Sequence, residues 1–198
     1  MDSPASALPG VWFAGTRVIV RVRASQSDGR LGAWESQESL HTALPLHVHT
    51  REDEQVILLE GTLSFSVGDG VHHLVAGDTL SLPRGVPHTH VITSQNARVL
   101  TIAVPGGFEQ LFVDLGVPAI PGTRPPALDR GPLEQAVARL GVQIVGPPPS
   151  LDSVRWCRQS GCLSSARDAS DAVSTNQFAK RTATAGSSGA TSMGDPAG

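Results

Sequence analysis

The sequence predicts an all-β fold, an antiparallel sandwich or barrel, and two observations support this prediction. Short segments in which apolar and polar residues alternate recur along residues 11–104 at the spacing of about 8–12 residues that is typical of such folds. Glycine and aspartate residues separate these segments, as in the GDG of residues 68–70, and both residue types favour tight turns. No segment before Pro105 has the spacing of an amphipathic helix.

The first strands are predicted from alternation and turn chemistry. Val18, Val20 and Val22 fall on one side of an extended segment, which indicates a half-buried strand. The segment 25–30 contains Asp-Gly and predicts a turn, because these residues tolerate positive φ. A second strand is expected over residues 31–40, followed by a connector that ends in a proline.

The remaining strands follow one another with short turns between them. Within them, Leu63, Phe65 and Val67 share one face, as the two-residue period of a strand requires. We expect these strands at residues 55–60, 62–67, 71–75, 79–82, 86–93 and 98–104.

Helical spacing appears only after the last of these strands. One short amphipathic helix is predicted over residues 108–115 and a second over 133–140, each ending at a glycine. Their apolar positions are Phe108, Leu111, Phe112 and Leu115 in the first, and Leu133, Ala136, Val137 and Leu140 in the second.

These patterns predict four regions. Residues 1–10 are expected to be a flexible N-terminus, 11–104 the barrel, and 105–149 a helical extension packed on it. Residues 150–198 are rich in Ser, Ala, Thr, Gly and Asp without apolar periodicity, and we expect them to be disordered. The two cysteines, Cys157 and Cys162, are expected to be free thiols in that segment.

Composition excludes several classes of partner. The formal net charge of −3 provides no basic surface for nucleic acid or an anionic membrane. No apolar run approaches the ~18–20 residues that span a bilayer. The first residues lack the charged and apolar regions of a secretory signal, so we expect a cytoplasmic protein. Aromatic residues are few, at 4%, and tyrosine is absent.

The histidines indicate chemistry, because all seven fall between positions 41 and 90. His47 and His49 are two residues apart in an extended segment and therefore leave the same strand face. The polar segment 50–53 allows the chain to reverse, which brings Glu54 beside them on the next strand. His88 follows the Pro-x-Gly turn at 83–85 and is expected to complete the group.

Three imidazoles and one carboxylate suit a divalent transition metal such as Fe, Mn, Ni, Co, Cu or Zn. No cysteine lies near these residues to favour a closed structural zinc site. Four protein ligands leave positions open on a metal that prefers five or six, as a catalytic metal requires. A lone histidine on a strand is usually a surface or core residue, but the joint spacing favours a metal site.

Other inward-facing residues allow two interpretations. His90 shares a strand face with His88, and it either lines a pocket or is a polar residue at the barrel mouth. Several apolar residues are either pocket walls or plain core, and they are Val56, Leu58, Leu63, Phe65, Leu80, Leu82 and Ile102.

Taken together, these motifs resemble those of the cupin superfamily. The first family motif, G-x5-H-x-H-x3-4-E-x6-G, is matched by His47, His49, Glu54 and Gly61. The second, G-x5-P-x-G-x2-H-x3-N, is matched by Gly77, Pro83, Gly85 and His88. His41 replaces the opening glycine and Ile92 the closing asparagine; neither position holds a metal ligand in the family, and His41 is expected to face solvent.

The resemblance implies a double-stranded β-helix (jelly-roll) barrel, a metal held by three histidines and one glutamate, and a homodimer. Residues 104–119 and 133–149 further resemble the C-terminal extension of small bacterial monocupins that are similar to quercetin 2,3-dioxygenase. This implies an oxidoreductase that acts on a small enolisable or phenolic substrate with O2, with Glu54 as both metal ligand and general base. A non-catalytic small-molecule-binding cupin and a cupin isomerase are the alternatives.

Overall fold

Two antiparallel β-sheets make up most of the structure, a computed structural model that describes residues 10–120, 122–123 and 130–149. The strands, in chain order, are β1 (Val11–Phe13), β2 (Thr16–Val22), β3 (Gly32–Ser39), β4 (Leu46–His49), β5 (Asp53–Glu60), β6 (Thr62–Val67), β7 (Gly70–Val75), β8 (Thr79–Leu82), β9 (His88–Ile92), β10 (Asn96–Val104), β11 (Val117–Pro118) and β12 (Val142–Gly146). One sheet has the order β11-β1-β2-β3-β10-β5-β8 and the other β12-β4-β9-β6-β7. This arrangement is the all-β jelly roll that the sequence predicts.

The main core lies between the two sheets. Leu58 of β5 and Ile92 of β9 are fully buried, and they belong to opposite sheets. The same cluster contains most of the residues named above as pocket walls or core, so these are core residues. Its buried members are Val56, Leu58, Leu63, Phe65, Leu74, Leu82, Ile92, Ala97 and Val99, with Leu80 packed against them. Ile102 differs, because it alternates with buried Thr101 and Ala103 and therefore faces outward.

Most predicted strands are present, with ends that differ by up to two residues. β6 and β8 have the predicted bounds. The prediction that nothing helical precedes Pro105 is wrong in one place, since Ala24–Gln26 forms a single 3₁₀ turn that overlaps the start of the predicted reversal. This turn satisfies backbone groups locally and needs no amphipathic pattern.

The extension contains two helices, α1 (Gln110–Leu115) and α2 (Arg130–Arg139). α2 begins before the predicted start because Pro132 lies in its first turn, where a missing backbone N–H costs nothing. Both helices contribute to a second core that holds Leu111, Ala136, Val137 and Val142. Among the described residues, neither helix is long and apolar enough to cross a membrane.

The extension also adds a strand to each sheet, which the sequence does not predict. β11 pairs with β1, and β12 pairs with β4, the strand that contains His47 and His49. The boundary between a barrel at 11–104 and an extension at 105–149 stays a prediction. Two other predictions, a flexible N-terminus at 1–10 and a disordered segment at 150–198 with two free cysteines, concern residues that lie outside the described ranges, except for Gly10.

Candidate metal centre

Strands β4, β5 and β9 bring the predicted site residues together inside the barrel. His47 lies directly opposite His88 in the β4–β9 register. One ring nitrogen from each of His47, His49 and His88 lies within 4.8 Å of the other two. His49 and His88 are each only 2% exposed, whereas His47 is partly buried, so the site is nearest to solvent on the His47 side.

Each of the three imidazoles already uses its Nδ1 atom. His47 Nδ1 donates to the carbonyl oxygen of Pro45 at 2.8 Å, and His88 Nδ1 donates to that of Val86 at 3.0 Å. His49 Nδ1 lies 2.6 Å from a carboxylate oxygen of Glu52. Because all three partners are acceptors, each Nδ1 carries the proton and each Nε2 keeps its lone pair. Three Nε2 lone pairs are therefore available to one ion.

Glu54 adds an oxygen to this group. Its Oε2 atom lies 3.6 Å from His88 Nε2 and 3.9 Å from His49 Nε2. The His88 Nε2 atom is buried and has no hydrogen-bond partner. A buried polar atom without a partner is costly, and a cation between the imidazoles and the carboxylate would provide the missing interaction. The residues present therefore fit a metal ion.

Electrostatics at the metal-free site favours the metal-binding forms of His47 and Glu54, whereas at His49 it favours the protonated ring. Burial and the neighbouring His88 lower the pKa of His47 from 6.5 to about 4, so its ring is neutral at physiological pH. Burial acts to raise the pKa of Glu54, but the surrounding His88, His49 and His47 outweigh it, and the net pKa is lowered. Burial disfavours a proton on His49, but the Glu52 carboxylate favours one, and the net pKa of His49 is raised. Neutral imidazoles and an ionised carboxylate are the ligand forms that divalent metals require.

The turn before His88 is bound to the loop after His49. The Gly85 N–H donates to the His49 carbonyl oxygen at 2.8 Å. The Arg84 guanidinium forms a 2.6 Å ion pair with Asp53, and the Arg84 N–H donates to the same carboxylate. The two motifs predicted from the sequence are therefore held together by direct contacts, which explains how His88 reaches His47 and His49.

Two motif positions show why the family pattern contains glycine. Gly61 has a φ of +87°, and a Cβ atom there would clash with the Asn96 carbonyl oxygen. His41, in the place of the opening glycine, also has a positive φ, +69°. His41 is exposed, as expected, and among the described residues it is not part of the group of convergent ring nitrogens.

His90 is buried but does not join the convergent histidines. Its Nε2 atom lies 2.9 Å from a carboxylate oxygen of Glu38, and the other oxygen of Glu38 accepts a bond of 2.6 Å from the Ser36 hydroxyl. All three residues are buried, and Glu38 and His90 belong to opposite sheets. The sequence analysis did not identify Ser36 and Glu38, although their i, i+2 spacing on β3 places them on one face.

Sequence reasoning also missed Glu52 and a group of aromatic side chains. The polar pattern of residues 50–53 predicts only a turn, although an acidic residue three positions after a histidine can reach its ring. The Phe108 ring centroid lies 4.8 Å from that of His49. Phe108 packs on Trp34 and Phe112, and Phe112 on Phe13, so half of the eight aromatic residues gather beside the site.

A separate groove lies on the outer face of β5, β8 and β10 and contains none of the three histidines. Its lining includes the outward-facing residues Gln55, Ser81, Ile102 and Val104, together with the candidate ligand Glu54. Because none of the three histidines lines this groove, we assign the chemistry to the histidine group.

The chain is similar to several proteins of known structure. Among solved structures, a predicted oxalate decarboxylase from Thermotoga maritima is 15% identical with a TM-score of 0.49, covering 53% of this chain and 99% of that one. An RmlC-like cupin from Shewanella frigidimarina is 17% identical with a TM-score of 0.48, covering 55% of this chain and 93% of that one.

Two curated proteins are also similar to this chain. Quercetin 2,3-dioxygenase from Bacillus subtilis is 30% identical over 84 residues, which is 42% of this chain. Quercetin 2,3-dioxygenase from Aspergillus japonicus is 33% identical over 85 residues, which is 40% of this chain. The chain spans only about a quarter of the length of these relatives, 25% and 24%. Residues 40–103, which include all four predicted ligands, match the family model of the cupin domain. Residues 40–103 of the chain therefore match a cupin domain, and the chain resembles quercetin 2,3-dioxygenase over 84 residues.

Proposed function

We propose that His47, His49, Glu54 and His88 bind one divalent transition metal, among Fe, Mn, Ni, Co, Cu and Zn. The observation that carries this proposal is the different use of the two nitrogens in each of the three imidazoles. Every Nδ1 atom is hydrogen-bonded to an acceptor, and the Nε2 atoms converge. The buried Nε2 of His88, without a partner of its own, supports the same conclusion.

We further propose that this centre belongs to a dioxygenase-type oxidoreductase that acts on a small enolisable or phenolic substrate with O2. The curated relatives support the activity class, since both are quercetin 2,3-dioxygenases, and the cupin domain supports a small-molecule substrate. A metal with open positions would act as a Lewis acid that orients an anionic oxygen of the substrate.

The surrounding residues have separate roles in this proposal. Glu54 is ionised at neutral pH, because its pKa is lowered, and its free oxygen accepts the hydroxyl proton of the substrate as general base. Phe108, Trp34 and Phe112 form an apolar wall next to His49, which excludes water from one side of the site. The partly buried His47 is on the side from which a substrate enters.

Metal analysis tests the binding part of the proposal. Purified wild-type protein is expected to contain about one equivalent of metal, and His49→Ala is expected to lose it, because three donors hold an ion less tightly than four. His72→Ala, which removes an exposed histidine of β7, is the matched control and is expected to retain the metal. Equal metal content in His49→Ala and wild type would refute the site.

Oxygen consumption tests the activity. Metal-loaded protein is expected to take up O2 with a flavonol or another enolisable phenol, and Glu54→Gln is expected to slow uptake by about 10²–10⁴-fold if it is the base. A metal-loaded protein that consumes no O2 across this panel would indicate a binding protein or an isomerase.

We also propose a cytoplasmic homodimer. The outer face of β5 and β10 supports the dimer, since its Ile57, Leu59, Leu100 and Ile102 are only partly buried and Val104 is 48% exposed. A second copy would cover this apolar surface. Light scattering coupled to gel filtration is expected to give twice the chain mass, and a monomer mass would refute the dimer.

A further inference from the structure

We propose that Glu52 is a positioning residue of the metal centre: its carboxylate orients the His49 ring through Nδ1 and brings a second negative charge to the site. This inference rests on the proposed metal binding by His47, His49, Glu54 and His88. It concerns a residue that holds a ligand and does not itself touch the metal or the substrate.

The contact between the two side chains is short and shielded from water. Glu52 Oε1 lies 2.6 Å from His49 Nδ1, and the exposed fractions of the two side chains are 5% and 2%. Glu52 belongs to the loop between β4 and β5, so it lies between the ligands His49 and Glu54 in sequence. A buried carboxylate needs a charged or strongly polar partner, and His49 provides the side-chain partner here.

His49 differs from the other two histidines in the charge of its partner. His47 and His88 both donate to neutral carbonyl oxygens, each two residues earlier in the chain. Only His49 donates to a carboxylate. A carboxylate on the distal nitrogen makes the imidazole a stronger electron donor and holds the ring at one orientation. His49 is therefore expected to be the strongest of the three nitrogen ligands.

The two buried carboxylates also match the charge of the ion. Glu54 and Glu52 together carry two negative charges when both are ionised, and a divalent metal would neutralise them inside the barrel. Loss of the Glu52 charge would leave a net positive charge beside the buried His49 and His88. For this reason Glu52→Gln, which keeps the shape and an acceptor oxygen, isolates the effect of the charge.

The experiment is a titration of the full-length, metal-free protein with Co²⁺, followed by visible absorption. Glu52→Gln is expected to weaken Co²⁺ binding by about 10–100-fold, the range found when the partner of a ligating histidine is lost, and to shift the absorption bands. Glu60→Gln is the matched control, because Glu60 is on β5 but its side chain is 64% exposed and forms an ion pair with Arg98. It is expected to bind like wild type. Urea unfolding of the metal-free proteins reports any purely structural role.

Each outcome is decisive. If Glu52→Gln binds Co²⁺ within twofold of wild type and with the same spectrum, while His49→Ala does not bind, the role of Glu52 is refuted and the metal centre stands. A wild-type protein that binds no Co²⁺ refutes both. If Glu52→Gln does not fold, Glu52→Asp is the second variant: it keeps the charge but shortens the reach to Nδ1. Its binding is expected to weaken at least threefold with shifted bands, and unchanged binding and bands would refute the proposal.

Discussion

At the scale of single residues, the histidines of the site are sorted by their hydrogen bonds. His47, His49 and His88 present Nε2 because an acceptor occupies each Nδ1, whereas His90 directs its Nε2 at Glu38. His88 and His90 are both histidines on the same face of β9, yet their hydrogen-bond partners give them different functions. The hydrogen-bond partner of each imidazole therefore decides whether that histidine can serve as a metal ligand.

His41 tests the backbone role of the family's opening glycine. His41→Gly is expected to raise the free energy of unfolding by about 1 kcal/mol, because a residue with a Cβ atom at φ +69° is strained and glycine is not. Urea unfolding measures the change. His41→Ala is the matched control, since it removes the imidazole but keeps the Cβ atom, and it is expected to give no gain. Equal gains in both variants would show that the side chain, not the backbone, causes the effect.

His47 makes the stability of the metal-free protein depend on pH. Its pKa is about 4 in the folded protein and about 6.5 when unfolded. Between these values the unfolded chain binds a proton that the folded protein does not, so stability falls as pH drops from 6.5 towards 4, by up to about 3 kcal/mol in total. Urea unfolding in a chelator is expected to show a shallower decline for His47→Gln. Identical declines in the two proteins would contradict this assignment.

At the scale of elements, the ligand-bearing strand β4 is held chiefly by the C-terminal extension. Its register with β9 contains a single pair, His47 and His88, whereas β12 pairs along the whole of β4. At the start of β12, the Gly141 carbonyl oxygen accepts bonds from both the N–H and the hydroxyl of Thr50, the residue after His49. The extension is therefore part of the support of the metal centre.

Gly141→Ala tests this support. Gly141 has a φ of +82°, and a Cβ atom there would lie 2.7 Å from the Thr50 hydroxyl oxygen, so the variant is expected to lose about 1–3 kcal/mol of stability and to bind Co²⁺ more weakly. Gly15→Ala is the control, because Gly15 has a similar φ of +85° but open space around it. It is expected to lose stability with unchanged Co²⁺ affinity. If both variants bind Co²⁺ like wild type, β12 does not support the site.

At the scale of the whole molecule, the candidate ligands join both sheets across the barrel. Glu54 belongs to the seven-stranded sheet, and His47, His49 and His88 belong to the five-stranded one. An ion bound between them would cross-link the sheets in the folded state and would be absent from the unfolded chain. Metal binding is therefore coupled to folding.

Metal is accordingly expected to stabilise the whole fold. At a free metal concentration 100 times the Kd, the gain is about 2.7 kcal/mol, which corresponds to a rise in Tm of roughly 5–10 °C for a chain of this size. Thermal unfolding with and without a chelator measures it. His88→Ala is expected to lose the rise and His72→Ala to keep it. A rise of equal size in His88→Ala would mean that the stabilising ion binds elsewhere.

The amino-acid sequence alone determined most strands before Pro105 and the four candidate ligands. Strand alternation and turn residues are local signals, so β6 and β8 were predicted with their observed bounds. The i, i+2 spacing of His47 and His49 required a common face whatever the rest of the fold, and the motif spacing indicated Glu54 and His88.

Only the tertiary structure decided what surrounds these residues. β12 joins β4 through the contact of Gly141 with Thr50, 91 residues apart, and Glu38 meets His90 across 52 residues. Phe108 reaches His49 from the extension. Such contacts leave no period in the sequence, because they depend on how sheets and loops pack and not on which neighbours a residue has. Even Glu52, three residues from His49, lies in a loop that connects β4 of one sheet to β5 of the other, and its contact with the ring depends on the path of that loop.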